Sequence, residues 1–151
     1  MAGLADVDLM RIALERAAAC ESSGDVPVGA VVARGDEVLA VAGNERERAH
    51  DPTAHAEILA LREASDRVGS WRLDGCAMFV TLEPCAMCAG ALVLARLERL
   101  VYASADPKAG FAGSLGDLTR DPRLNHRLRV ESGVLAEESS ALLKAFFLGR
   151  R

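Results

Sequence analysis

His55 and Glu57 stand two residues apart in Thr53-Ala54-His55-Ala56-Glu57, and Cys85 and Cys88 stand three apart in Glu83-Pro84-Cys85-Ala86-Met87-Cys88. One imidazole and two thiols are zinc-type ligands. Three donors leave a coordination position open for water, as in catalytic zinc sites, whereas a structural zinc is closed by four. Glu57 then stays free to carry the water's proton rather than bind metal. Both halves fall where a helix should begin, and the rest of the chain has to hold the two helix starts together.

In the middle of a helix, positions i and i+2 point about 200° apart. That objection weakens in the first turn, where both side chains can reach a site lying off the helix end. The uncapped N–H groups and the dipole there favour anions, and the same field lowers the pKa of Cys85 and Cys88, which share one face of a first turn. Two thiolates neutralise zinc and leave a bound water that becomes hydroxide near neutral pH. A C-x-x-C pair alone is equally typical of a thioredoxin-like redox site, but that reading gives His55 and Glu57 no role. H-A-E followed by P-C-x-x-C, with Cys85 coming 28 residues after Glu57, favours zinc hydrolysis over a redox or structural site.

The elements around these residues alternate. Leu9, Ile12, Ala13, Arg16 and Ala17 give helical spacing from Asp6 to about Glu21, with Asp6 as its cap. Ala30 to Ala33 and Val38 to Ala42 are strands joined by a turn at Arg34 to Glu37. Gly43 to Pro52 is a polar loop, and Thr53 caps a helix from Ala54 to about Val68 that ends at Gly69. Ala77 to Leu82 is a strand, and Pro84 suits the first turn of a helix running to about Leu97. Leu100 to Ala103 and Leu128 to Glu131 are strands, and Ala136 to Leu148 closes the chain as a helix. The connection over residues 104–125 is long for a compact domain, which marks it as functional. The pattern predicts one α/β domain over residues 1–151: a three-layer α/β/α stack on a mixed sheet of about five strands.

Composition narrows the function classes. The chain has 151 residues, 50% hydrophobic and 26% charged, which is globular and not disordered. No basic-then-apolar start is present and the longest apolar run is too short for a bilayer, so a soluble, cytoplasmic protein without membrane association is expected. Cys20 and Cys76 sit in apolar surroundings and read as buried small hydrophobes. A net charge of −4 argues against generic coating of nucleic acid. The charge is uneven, with five basic and eleven acidic side chains over residues 1–60 but seven and four over residues 96–129. Such a basic run could hold a nucleic-acid backbone locally, although it is more often a solvated face. For His50 and His126 a local hydrogen bond is favoured over metal binding, and at least one of Phe146 and Phe147 is helix core.

The H-x-E…P-C-x-x-C pattern resembles the zinc-dependent cytidine/deoxycytidylate deaminase superfamily. Within it, the chain is similar to the bacterial tRNA-specific adenosine deaminases. The similarity covers Val26-Pro27-Val28-Gly29-Ala30-Val31, His50 to Glu57, Val80 to Cys85, Met87 to Ala91, Ala112 to Leu115, Asn125 to Arg127 and Phe146-Phe147. It implies a cytidine deaminase-like fold, one Zn2+ held by His55, Cys85 and Cys88, and Glu57 as the catalytic proton carrier. It implies hydrolysis of the wobble adenosine of a tRNA anticodon loop to inosine, by a homodimer. Asn44 resembles the residue that contacts the nucleoside, and backbone near Ala54 and Pro84 would line the base pocket. Asp106, Lys108, Arg127, Phe147 and the pair Arg150-Arg151 could contact the RNA around it, since an anticodon loop presents bases already unpaired. Two other readings remain: a deaminase of a free nucleobase or nucleoside (cytosine, guanine or adenosine), and a zinc-stabilised binding module without catalysis.

Overall fold

The computed structural model describes residues 5–149. Apolar segments form β1 (Gly29–Arg34), β2 (Glu37–Gly43), β3 (Ala77–Leu82), β4 (Arg99–Ser104) and β5 (Arg129–Ser132). They make one sheet in the order β2-β1-β3-β4-β5. β1 is antiparallel to both its neighbours, while β3, β4 and β5 run parallel. The helices are α1 (Asp6–Ala18), α2 (Arg46–Ala49), α3 (Ala56–Val68), α4 (Ala86–Leu94) and α5 (Ala136–Leu148). None of them is long and apolar enough to cross a membrane.

Successive strand residues point to opposite faces, and both faces here are apolar, as a doubly covered sheet requires. Ala30, Val32, Met78, Val80, Leu100 and Tyr102 pack with Ala56, Ala60 and Ala64 of α3 and with Leu92 and Val93 of α4. Val31, Ala33, Phe79, Val101 and Ala103 pack with Leu9, Met10 and Ala13 of α1, and α5 adjoins β4. The expected three-layer α/β/α stack is the one observed. With few aromatics the layers must approach closely, and Gly29 is where this is tightest. A Cβ on Gly29 would lie 1.9 Å from the carbonyl oxygen of Ala13.

Strand direction decides where a site can form. Because β1 is antiparallel to β2 and to β3, the strands β2, β3 and β4 all point one way. Their carboxyl ends and the segment leading into β1 therefore share one edge of the molecule, the usual place for ligands in α/β sheets. The N-termini of α3 and α4 open at the same edge.

Several boundaries differ from the sequence reading. The α-helical part of α1 stops at Ala18, and a 3-10 turn over Ala19–Ser23 ends at Gly24, whose φ is 78°. Asp6 is not the cap: Ala5 takes that position, and the Asp6 carboxylate reaches Arg99 on β4. The loop Gly43 to Pro52 contains α2, and Gly43 itself belongs to β2. α4 ends at Leu94 rather than Leu97, because Arg96 turns left-handed at φ 64° and its guanidinium caps the Val93 carbonyl at 2.9 Å. The connection over residues 105–125 contains no helix or named strand, as expected, and carries only the isolated bridges Cys85–Gly110 and Ala112–Asp117, while β5 begins at Arg129 rather than Leu128.

The contact at Gly29 is backbone against backbone, so no rotamer change relieves it. Gly29→Ala should cost about 3 kcal/mol of stability by overpacking, measured as a lower urea midpoint at unchanged slope. A cost below about 1 kcal/mol would mean that α1 retreats freely.

Candidate active site

The sequence reading caps α3 with Thr53; the structure places the cap two residues later. The Thr53 hydroxyl and amide both donate to Asp51 Oδ1, each at 2.8 Å, so Thr53 closes its own turn instead of capping the helix. His55 is the N-cap, with φ −73° and ψ 151°. Cys85 is likewise the N-cap of α4, with φ −73° and ψ 178°, and Pro84 stands before the cap rather than in the first turn. An N-cap residue is extended and its side chain projects past the helix start. Neither His55 nor Cys85 makes a side-chain cap hydrogen bond, which leaves both donor atoms available.

Those donors converge. His55 Nδ1 lies 3.6 Å from Cys85 Sγ and 3.5 Å from Cys88 Sγ. All three ligand atoms fall within 4.8 Å of one another. A tetrahedral zinc with ordinary Zn–N and Zn–S bonds separates a nitrogen and a sulfur donor by about 3.6 Å. Both nitrogen–sulfur separations thus match those of a zinc site. Cys20 and Cys76 are buried elsewhere, and His126 Nε2 sits 2.6 Å from the Leu97 carbonyl oxygen, away from this cluster.

Protonation follows from the same packing. A hydrogen bond from the Cys88 thiol, then one from His55, hold Cys85 down to about 3. Cys88 is pushed far up, first by its bond to the Cys85 thiolate and then by burial. The first proton leaves the pair from Cys85. His55 is raised, chiefly by its hydrogen bond with Cys85. Glu57 is 4% exposed, and burial pushes its carboxyl up to about 7. A carboxyl poised there can both accept and return a proton near neutral pH.

Around these groups is a cleft of about 180 Å³, enough for a single nucleobase, whose walls include Val26, Asn44, Arg46, Leu82, Asp106 and Ala109 beside His55, Glu57 and Cys85. Asn44 and Asp106 both lie on the cleft wall. The Asn44 side chain is fixed by donating to the Val26 carbonyl at 3.2 Å and accepting the Arg46 amide at 3.2 Å. The Asp106 carboxylate accepts the Lys108 and Ala109 amides at 3.1 and 3.3 Å. Ala54 and Pro84 lie one residue behind the ligands, and their carbonyls accept the Glu45 and Phe111 amides at 3.0 and 2.8 Å. Lys108 is outside the cleft, in an adjoining groove with Ala105, Leu143, Lys144 and Phe147. Arg151 and Arg150 lie outside the described residues.

Two buried carboxylates that the sequence reading left without a role hold the cleft's irregular walls. Asp25 accepts the Glu47 and Arg48 amides at 2.6 and 3.3 Å and the Ser23 hydroxyl at 2.9 Å, so it anchors α2 beside Asn44. Glu83 accepts the Asp106, Ala112 and Ser114 amides at 2.9, 3.0 and 3.0 Å and the Ser114 hydroxyl at 2.5 Å. Burial alone would raise the Glu83 carboxyl, but the Ser114 hydroxyl and these amides outweigh it and keep its pKa below the usual range. Three of the seven cations in the basic run over residues 96–129 are paired with acids. Arg99 pairs with Asp6 and Glu131, Arg120 with Asp117, and Arg123 with Asp121.

The MafB19-like deaminase family matches residues 5–151. The tRNA-specific adenosine deaminase of Bacillus subtilis (strain 168) is 47% identical over 138 residues, which are 91% of this chain and 86% of that protein. The chain belongs to the deaminases. The tRNA-specific adenosine deaminase of Haemophilus influenzae is 46% identical over 149 residues, 97% of this chain and 85% of that protein. A solved deaminase structure from work on A-to-I editing by tRNA:A34 deaminases superposes at a TM-score of 0.86 with 40% identity, covering 89% of this chain and 98% of that one. A guanine deaminase from Nitrosomonas europaea superposes at 0.78 with 27% identity, covering 96% of this chain and 86% of that one. The cytidine deaminase-like fold expected from the motif is the fold observed.

The donor trio should hold one zinc per chain, measured by metal analysis, and His55→Ala should leave well under half of that. Ligand donors must be deprotonated to bind metal. With His55 raised, more of it is protonated at any given pH, so affinity should fall as pH drops from 8 to 6. Competition with a chelator checks the sign, and tighter binding at pH 6 would contradict the assignment.

Proposed function

We propose that this chain hydrolyses adenosine to inosine, with release of ammonia, at the wobble position of a tRNA anticodon loop. The observation that carries the chemistry is the meeting of three zinc-type donors and one buried carboxyl at a cleft sized for a single base. His55, Cys85 and Cys88 hold the metal, which when bound polarises a water and lowers its pKa toward neutral. Glu57 takes a proton, delivers it to the ring nitrogen and then assists the departing ammonia. Asn44 and Asp106 orient the base, and the hydrogen bonds that fix their side chains reduce the ordering cost on binding.

The tRNA substrate is supported by the relatives and by the surroundings of the cleft. A base must leave its stack to enter such a cleft, and an anticodon loop offers bases already unpaired. The groove lined by Lys108, Lys144 and Phe147 also includes Val26, Leu82 and Asp106 of the cleft, so a strand can continue past the reacting base. Phe147 is 55% exposed there, whereas Phe146 is buried. An exposed aromatic beside two lysines suits stacking and phosphate contact. A homodimer and a cytoplasmic location belong to the same reading, and sedimentation of the purified protein tests the first.

A free base or nucleoside is the second reading, favoured by the likeness to guanine deaminase. Incubating the zinc-loaded protein with a wobble-A stem-loop, a wobble-C stem-loop, free adenosine and guanine separates the two. Inosine is expected from the wobble-A stem-loop, and product from a free substrate alone would sink the tRNA reading. Glu57→Gln should retain zinc yet lose at least about 10²-fold in rate. Undiminished ammonia release by that variant would remove Glu57 from the mechanism.

A further inference from the structure

We propose that Glu83 is a positioning residue for the base cleft: its carboxylate fastens the Asp106–Ser114 loop to the strand exit that carries Cys85, so that cleft wall and metal ligand move as one body. The loop has no regular secondary structure to hold it, and its attachment runs along residues 83–85. The Glu83 amide donates to the Ser104 carbonyl at 2.8 Å, and the Phe111 amide donates to the Pro84 carbonyl at 2.8 Å. Cys85 bridges Gly110. Beneath this seam the Glu83 side chain is 2% exposed. No ion pair involves it among the described residues, and its charge is met by the amides of Asp106, Ala112 and Ser114 and by the Ser114 hydroxyl. A buried carboxylate is tolerated only with such a full set of donors, so loop and carboxylate depend on each other.

Gly110 is the matching half of the device. A Cβ there would lie 2.3 Å from Glu83 Cδ and 2.5 Å from both of its carboxylate oxygens. Only a residue without a side chain lets the loop close over the carboxylate. Asp106 and Ala109, which precede Gly110, are cleft-wall residues. A loop released from Glu83 would leave the metal ligands in place but the wall unformed.

Glu83→Gln makes a specific error. An amide nitrogen in place of Oε2 faces two donors, the Ala112 and Ser114 amides. In place of Oε1 it faces the Asp106 amide and a Ser114 hydroxyl that can turn to accept. The second orientation is the less costly, so the substitution should free the Asp106 end of the loop first. Substrate must then reorder the wall as it binds, which reduces apparent affinity by the fraction of molecules already ordered.

This inference rests on the adenosine deaminase reading for its kinetic test but not for its structural one. Zinc-loaded Glu83→Gln and Gly110→Ala should each raise KM for the wobble-A stem-loop about 10-fold or more, with kcat within about threefold of wild type and one zinc per chain. The double variant should raise KM by less than the product of the two single effects, since both break one contact. Ser114→Ala, which removes a single donor, should give a smaller rise and serves if Glu83→Gln does not fold. Independently of activity, amide hydrogen exchange in Glu83→Gln should quicken most at Asp106 and less at Ala112 and Ser114, while that within α4 does not. Unchanged KM in folded Glu83→Gln and Gly110→Ala, or unchanged exchange at those amides, overturns the proposal. If wild type leaves the stem-loop untouched while the exchange result holds, the substrate reading falls and the clamp stands.

Discussion

The site depends on two residues standing at helix starts and facing each other across a short gap. His55 and Cys85 are both N-caps in extended conformation, so each side chain leaves its helix before the first turn closes. That geometry exists only because α3 and α4 begin at the same sheet edge, and they do so because β1 runs against both its neighbours. Reversing β2 or β3 alone would put the two starts at opposite edges of the sheet. Strand direction is therefore what turns an H-x-E and a distant P-C-x-x-C into one cluster of donors.

The same placement resolves the spacing of His55 and Glu57. Two residues apart within a helix they would diverge, but one is a cap and the other lies a residue inside the first turn. The cap side chain points off the helix end, and Glu57, 4% exposed, is buried beside it. Burial raises the carboxyl toward neutral pH, and a backbone amide hydrogen bond, the His55 imidazole and the Cys88 thiol offset part of that rise and keep it from becoming a permanently protonated core group. A catalytic proton carrier needs this intermediate state.

The motif residues and the sheet were readable in the sequence because their signals are local. His55, Glu57, Cys85 and Cys88 carry chemistry that few other side chains supply, and the strands are short apolar runs between turn residues. The helix starts were misplaced because Thr53 and Pro84 are common at such positions, and only tertiary structure shows Thr53 bonded to Asp51 instead. The end of α4 was missed because Arg96 adopts a positive φ that no sequence rule assigns to arginine. Glu83 and Asp25 were harder still. Nothing local distinguishes a buried carboxylate that gathers amides 22 to 31 residues away from an acid on a solvated turn. Arg46, on the cleft wall, looked like any charge in a polar loop.

The contrast between regular and irregular parts explains how related chains can share chemistry and differ in substrate. A guanine deaminase with 27% identity keeps this fold at a TM-score of 0.78, so the sheet and the two helix starts tolerate wide sequence change. Packing of small and branched residues fixes that frame, and many sequences satisfy it. The cleft walls here are loops held by polar bonds to Asp25 and Glu83 rather than by core packing. Such bonds are directional and must all be made at once, because each buried donor left unpaired is costly. A loop of this kind can be exchanged for another only together with its anchoring side chain. Substrate choice can then change in discrete steps while the donors and Glu57 stay where the sheet puts them.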